Sequence, residues 1–140
     1  MPSIRLFLLS LFCCFVFAGC GGDALVPISG NVTFDGVPVE EGTITFMPET
    51  GTGTSGSAPI SNGRYSVRVE PGRMIVQIFG LREPTPADQQ IMNTNPMGGS
   101  PMMSDRPPLF QFIPMRYNLV TELRADIQGA RRDLDFDLTP

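Results

Sequence analysis

The chain has 140 residues, ten basic and 14 acidic side chains, a formal net charge of −4, and neither His nor Trp. Every basic residue is Arg, so imidazole and lysine chemistry, the usual source of general bases, Schiff-base amines and nitrogen metal ligands, is excluded. An acidic chain without a clustered basic face cannot neutralise phosphates, which argues against nucleic acid as a partner, and 140 residues leave room for one domain.

Residues 1–19 have the make-up of an export signal, with Arg5 as the positive charge and residues 6–17 apolar apart from Ser10. That stretch is too short for a helix crossing a hydrocarbon core of about 30 Å, and ordinary for a signal. It ends in Phe17-Ala18-Gly19-Cys20. This resembles the lipobox of bacterial lipoproteins, in which the Cys thiol is diacylated and the chain is cut just before it; the family pattern has Leu where Phe17 stands. An ordinary secretory signal cut after Ala18-Gly19 and an uncleaved anchor are the alternatives. On the lipoprotein reading Cys20 is the lipidation site and residues 20–25 are a flexible tether. Two acyl chains suffice for stable attachment. The expected location is the cell membrane or outer membrane, lipid-anchored, with the domain facing an extracytoplasmic space. Cys13 and Cys14 lie within the signal, so no disulfide, zinc–thiolate site or CxxC motif can be built from the mature chain.

Beyond the tether the sequence reads as strands. Residues 27–34 place Ile28, Val32 and Phe34 on one face, and Asp35-Gly36 turns the chain. Residues 42–47 alternate, 50–57 form a Gly/Thr/Ser loop, and 58–61 are a short strand before Asn62-Gly63, a strong hairpin signal. Residues 64–70 oppose Tyr65, Val67 and Val69 to Arg64, Ser66, Arg68 and Glu70; Pro71-Gly72 turns again. Residues 73–80 are nearly all apolar and read as a central strand buried on both faces. Residues 81–112 hold six Pro, four Met and Gly98-Gly99 without periodicity, and read as one long loop with at most a helical turn over 88–92. Residues 121–127 and 133–138 alternate once more. Seven short strands with turn chemistry between them predict an all-β fold, a β-sandwich over residues 26–140. Its expected core includes Val32, Phe34, Ile44, Phe46, Tyr65, Val67, Val76, Ile78, Leu123 and Phe136.

Gly30-x-Val32-x-x-x-Gly36-x-Pro38-Val39-x-x-Gly42-x-Ile44-x-Phe46 looks like the opening of the transthyretin-like, carboxypeptidase-regulatory-like domain, particularly in small lipoproteins of planctomycete-type bacteria. The similarity continues at Asn62-Gly63-Arg64-Tyr65-Ser66-Val67 and Pro71-Gly72-Arg73-Met74-Ile75-Val76. It resumes at Ile113-Pro114-Met115-Arg116-Tyr117-Asn118 and closes at Asp135-Phe136-Asp137-Leu138. The resemblance implies a seven-stranded prealbumin-like (Greek-key) β-sandwich, mainly non-catalytic, acting in binding, adhesion or structure.

Sharper chemistry can be weighed residue by residue. One branch of the transthyretin-like fold hydrolyses a purine-breakdown intermediate with His and a C-terminal Tyr-Arg-Gly-Ser run; this chain has no His and ends Asp137-Leu138-Thr139-Pro140. Glu40 and Glu41 could form a glycosidase-like carboxylate pair, but beside a hairpin turn they read as solvated charge. Met92, Met97, Met102 and Met103 could offer thioethers to Cu(I), against the plainer reading of Met as gap filler. Asp133, Asp135 and Asp137 share a strand face at spacings of roughly 6.6–7 Å, too extended to wrap calcium, and should pair with Arg64, Arg68, Arg124 or solvent. Asn31-Val32-Thr33 is a formal glycosylation sequon read as chance, and Tyr117 reads as a packing anchor pinning the long loop. The expectation is therefore a non-catalytic binding or structural module of the cell envelope, with no cofactor and no metal. Its membrane contact is the lipid anchor, its ligand a protein or carbohydrate the sequence does not specify, and residues 81–112 its variable functional surface. A Cu(I)-binding envelope protein is the alternative.

Overall fold

The computed structural model describes residues 25–94 and 109–140. The signal, Cys20, most of the tether, and Met97, Met102 and Met103 lie outside the described residues. The strands are β1 (Val26–Phe34), β2 (Val37–Pro38), β3 (Glu41–Pro48), β4 (Gly56–Ser61), β5 (Arg64–Val69), β6 (Gly72–Arg82), β7 (Phe110–Gln111), β8 (Arg124–Ile127) and β9 (Phe136–Leu138). All seven expected strands are present with shifted bounds; β2 and β7, two residues each, are additional.

The strand order is β2-β1-β5-β4-β3-β6-β7, with β8 added to β6 and β9 lying parallel to β1. Most pairs are antiparallel, and the sheet is curled so that its two halves face each other. Between β4 and β5 the ladder holds only Ser61↔Arg64. Pro59 has no N–H to donate to that ladder. Tyr65 and Phe136 from the β5–β1–β9 side meet Phe46 of β3, with ring centroids 6.0 and 6.3 Å apart. Around them Ile28, Val32, Val69, Ile44, Ile60, Met74, Val76, Ile78 and Ile127 are buried. Eight of the ten expected core residues are buried, and Phe34 and Leu123 pack against the core from its margin.

Two hairpins build the end of the sheet at which β1 finishes. Asp35 and Gly36 have φ of 52° and 76°, and Asn62 and Gly63 have 50° and 75°. Positive φ at both central residues is the turn whose twist matches that of paired strands. The two turns interlock through Val39: its N–H donates to the Val32 carbonyl, and its own carbonyl accepts from the Gly63 N–H at 2.8 Å.

Several expectations are corrected. β6 buries one face completely (Met74, Val76, Ile78, Gly80) while the other is half-buried, because the curled sheet covers only its concave side. Residues 56–57, expected in a loop, extend β4. The strands expected over 121–127 and 133–138 shorten to β8 and β9; Thr121 instead caps the approach, its hydroxyl donating to the Val76 carbonyl at 2.6 Å. Residues 81–112 are not one loop: β6 runs on to Arg82, β7 returns beside it, and helix α1 (Pro86–Thr94) lies between. The helix signal was local. Thr85 is the N-cap, Pro86 opens the first turn, and Asp88 reaches back to accept the Thr85 N–H at 2.9 Å, a capping box.

The three acidic residues near the C-terminus do not pair with Arg64, Arg68 or Arg124. Asp135 accepts the Asn31 backbone N–H at 2.6 Å and its side-chain amide at 3.0 Å, Asp137 accepts the Thr33 hydroxyl at 2.7 Å, and Asp133 faces Arg131. Asp135 and Asp137 hold the parallel β1–β9 seam, and Asn31 and Thr33 of the sequon belong to it. Tyr117 pins the C-terminus rather than the long loop, sharing hydrogen bonds of 3.2 Å with both the N–H and the hydroxyl of Thr139.

Candidate binding cleft

The strand registers define two ends of the domain. Val26, Val69 and Gly72 mark the end at which the chain enters from its N-terminal side, and Phe34, Glu41 and Leu81 mark the other. The nine residues of β1 separate them by roughly 26 Å. At the far end a cleft of about 400 Å³ opens between the interlocked turns and the ends of the 81–112 segment. Phe34, Asp35, Val37, Pro38 and Glu40 form one wall, and Leu81, Arg82 and Phe112 the other. Its volume falls within the range of small-molecule sites.

Each wall is held by a specific device. Gly63 lies against Pro38, where an added Cβ would come within 2.8 Å of the proline Cβ, so the two turns are seated as one block. Phe34 and Phe112 close the bottom edge to face, centroids 5.5 Å apart at 76°. The Arg82 guanidinium stands 5.1 Å from the Phe112 ring and 5.8 Å from Phe110, and donates to Asp88 at 3.0 Å. Asp88 also accepts from the Thr85 N–H and hydroxyl; these bonds first, then the Arg82 charge, hold its carboxyl below the usual carboxylate range. Arg82 is thereby committed to its aromatic and acidic neighbours. Asp35 and Glu40 have no ion-pair partner among the described residues, and Val37 is 64% exposed at the rim.

Of the residues singled out from sequence, Glu40 reaches the cleft, whereas Glu41 begins β3 and is not among its lining residues. Met92 falls in α1. Among the described residues no group of three His, Cys, Asp or Glu side chains converges as a metal site. Phe112, Arg82 and Asp88 were missed because the Pro/Met-rich composition masked them; the Thr85-Pro86-Ala87-Asp88 cap was the available signal.

The two tyrosines sit in opposite environments. Tyr65 is buried and donates its hydroxyl to the Leu134 carbonyl at 2.6 Å; burial first, and the Asp135 charge second, push its pKa well up. Tyr117 is lowered to about 8 by the Thr139 hydroxyl and N–H, with Arg116 adding to the effect. With two Tyr and no Trp, a phenolate absorbance titration reads both groups directly. One phenol should ionise near pH 8 and the other stay protonated past the ordinary tyrosine value of about 10. A folded pKa below the unfolded one adds stability that is complete above about pH 10 and is lost as pH falls through about 8. Two phenols titrating together near pH 10 would contradict this assignment.

No family model and no curated protein matches the chain. Among solved structures, a crystal structure of a 9R-lipoxygenase from Cyanothece PCC8801 is similar to it, with 14% identity and a TM-score of 0.41. The match covers 84% of this chain and 16% of that one. A likeness this distant bears on neither activity nor ligand. Among the described residues no helix is long and apolar enough to cross a membrane.

Proposed function

We propose that this protein is a lipoprotein of the cell envelope, anchored through Cys20, whose β-sandwich of prealbumin-like, Greek-key type binds a ligand without catalysing its conversion. The observation that carries the reading is the position of the cleft. It opens at the end of the sheet opposite the point where the chain enters, so a domain tethered by its N-terminus presents it away from the anchoring surface. Both ends of the 81–112 segment contribute to the cleft, in keeping with that segment as the functional surface, since rigid sheets commonly display binding residues on the connections at their ends. Apolar and aromatic walls with a few charged groups suit binding.

The anchor is testable on the full chain expressed in an exporting bacterium. Labelled fatty acid should enter the wild-type protein and be absent from Cys20→Ala, which should leave the membrane fraction. A Cys20→Ala protein that remained acylated and membrane-bound would refute the lipoprotein reading.

A further inference from the structure

We infer that the cleft takes a small organic cation, an ammonium group carried on an aromatic or branched aliphatic body. This deepens the proposed binding function and rests on it. The walls supply the apolar half of the recognition: Phe34, Val37, Leu81 and Phe112 line a space of about 400 Å³, and the Phe34–Phe112 contact fixes its floor. The charged half is set by which ions are already engaged. Among the described residues the cation lining the cleft, Arg82, is stacked on Phe112 and Phe110 and paired with Asp88, itself 6% exposed. Asp35 and Glu40, on the opposite wall, have no such partner among the described residues. An incoming anion would meet two carboxylates and a guanidinium already neutralised. An incoming ammonium would meet two carboxylates favourable to positive charge and, around them, the apolar surface of Phe34, Val37, Leu81 and Phe112 for its body.

Backbone geometry supports the same assignment. Asp35 occupies a left-handed conformation, φ 52°, in a turn locked to the neighbouring turn through Val39. Its carboxylate is therefore presented from a fixed frame, which lowers the ordering cost of binding.

The test uses the full chain in detergent micelles and three probes of one shape: 2-phenylethylammonium, 2-phenylethanol and 3-phenylpropionate. Amide NMR shifts are followed for residues 34–37, 39–40 and 81–82. The ammonium should bind with a dissociation constant of about 1 mM, the alcohol about tenfold more weakly, and the carboxylate not at all. Asp35→Asn/Glu40→Gln should bring ammonium binding down to that of the alcohol; Asn tolerates the turn's positive φ, so the fold is retained. Equal binding of ammonium and carboxylate, unchanged binding in the double variant, or no shifts at the cleft would overturn the inference. Failure here with Cys20 still acylated would remove the ligand class and leave the anchored module standing. Loss of acylation with selective ammonium binding would do the reverse.

Discussion

Gly30→Ala should destabilise the domain by about 3 kcal/mol, a fall in melting temperature of about 10 °C, despite adding a single methyl group. Gly30 is where β1 pairs with β5 along one edge while the C-terminal segment crosses over it toward β9. A Cβ at this position would stand 2.0 Å from the Leu134 carbonyl oxygen and 3.0 Å from the Asp135 carboxylate. The obstructing atom is backbone, and it is held there: Leu134 accepts the Tyr65 hydroxyl, and its N–H donates to the Ser29 carbonyl at 3.2 Å. The strand cannot yield without surrendering both bonds. Tyr65→Phe, which removes one of them and leaves the ring in the Phe46–Phe136 cluster, should cost about 1–2 kcal/mol. Denaturant unfolding of the two variants measures the difference. A Gly30→Ala protein within 0.5 kcal/mol of wild type would mean that the C-terminal strand is not seated on β1 as described.

Gly30 also marks the limit of what the sequence could disclose. Period-2 alternation located five of the seven longer strands, because burial of one face imposes that pattern wherever a strand lies over the core, while β4 was marked by the turn that follows it and β6 by its apolar run. The Asp35-Gly36 and Asn62-Gly63 turns were equally legible, since their backbone demands positive φ. The parallel docking of β9 on β1 was not, because it joins residues 104 positions apart through backbone groups and the side chains of Asn31, Thr33, Asp135 and Asp137. The alternating aspartates looked like a solvated face; one edge of it is a seam. The cleft was half-legible. Its turn wall follows from the hairpin signals, but its second wall lies in a segment whose prolines and methionines gave no period, and only the cap at Thr85 betrayed order within it. The motif 113–118 has no strand or helix period; only the resemblance and Tyr117 singled it out, and neither pointed to the buried role of Asn118.

That motif is held by Asn118, and Asn118→Leu should cost about 3 kcal/mol, comparable with Gly30→Ala. Asn118 is 1% exposed, yet every polar group of its side chain has a partner. Its amide donates to the Ile113 carbonyl at 3.1 Å and the Pro114 carbonyl at 3.3 Å, and its oxygen accepts the Leu119 N–H at 2.7 Å. The short helical turn Met115–Tyr117 is folded around these bonds, and Gln77 of β6 ties it down through the Asn118 carbonyl at 3.0 Å. Leucine takes the Asn118 oxygen away from the Leu119 N–H and strips one donor from each of the Ile113 and Pro114 carbonyls, which keep only the Gln111 amide at 2.9 Å and the Tyr117 N–H at 3.0 Å. It also puts a bulkier apolar side chain in a site that is 1% exposed, and that loss is independent of pH. Asn118→Asp separates hydrogen bonding from volume. It keeps the acceptor for Leu119, but an ionised carboxylate would face two carbonyl oxygens, so burial and repulsion raise its pKa in the folded state. A raised folded pKa makes the variant most stable below the unfolded carboxylate value of about 3.9, and increasingly unstable as pH rises through the folded one. Urea titrations at acid and neutral pH should therefore give a pH-dependent deficit for Asn118→Asp and a constant one for Asn118→Leu, and parallel deficits would dismiss the burial argument. Ile113 follows Phe112 directly, so both variants should also loosen the Phe34–Phe112 contact at the floor of the cleft. A structural asparagine remote from the ligand would then govern the shape of the site.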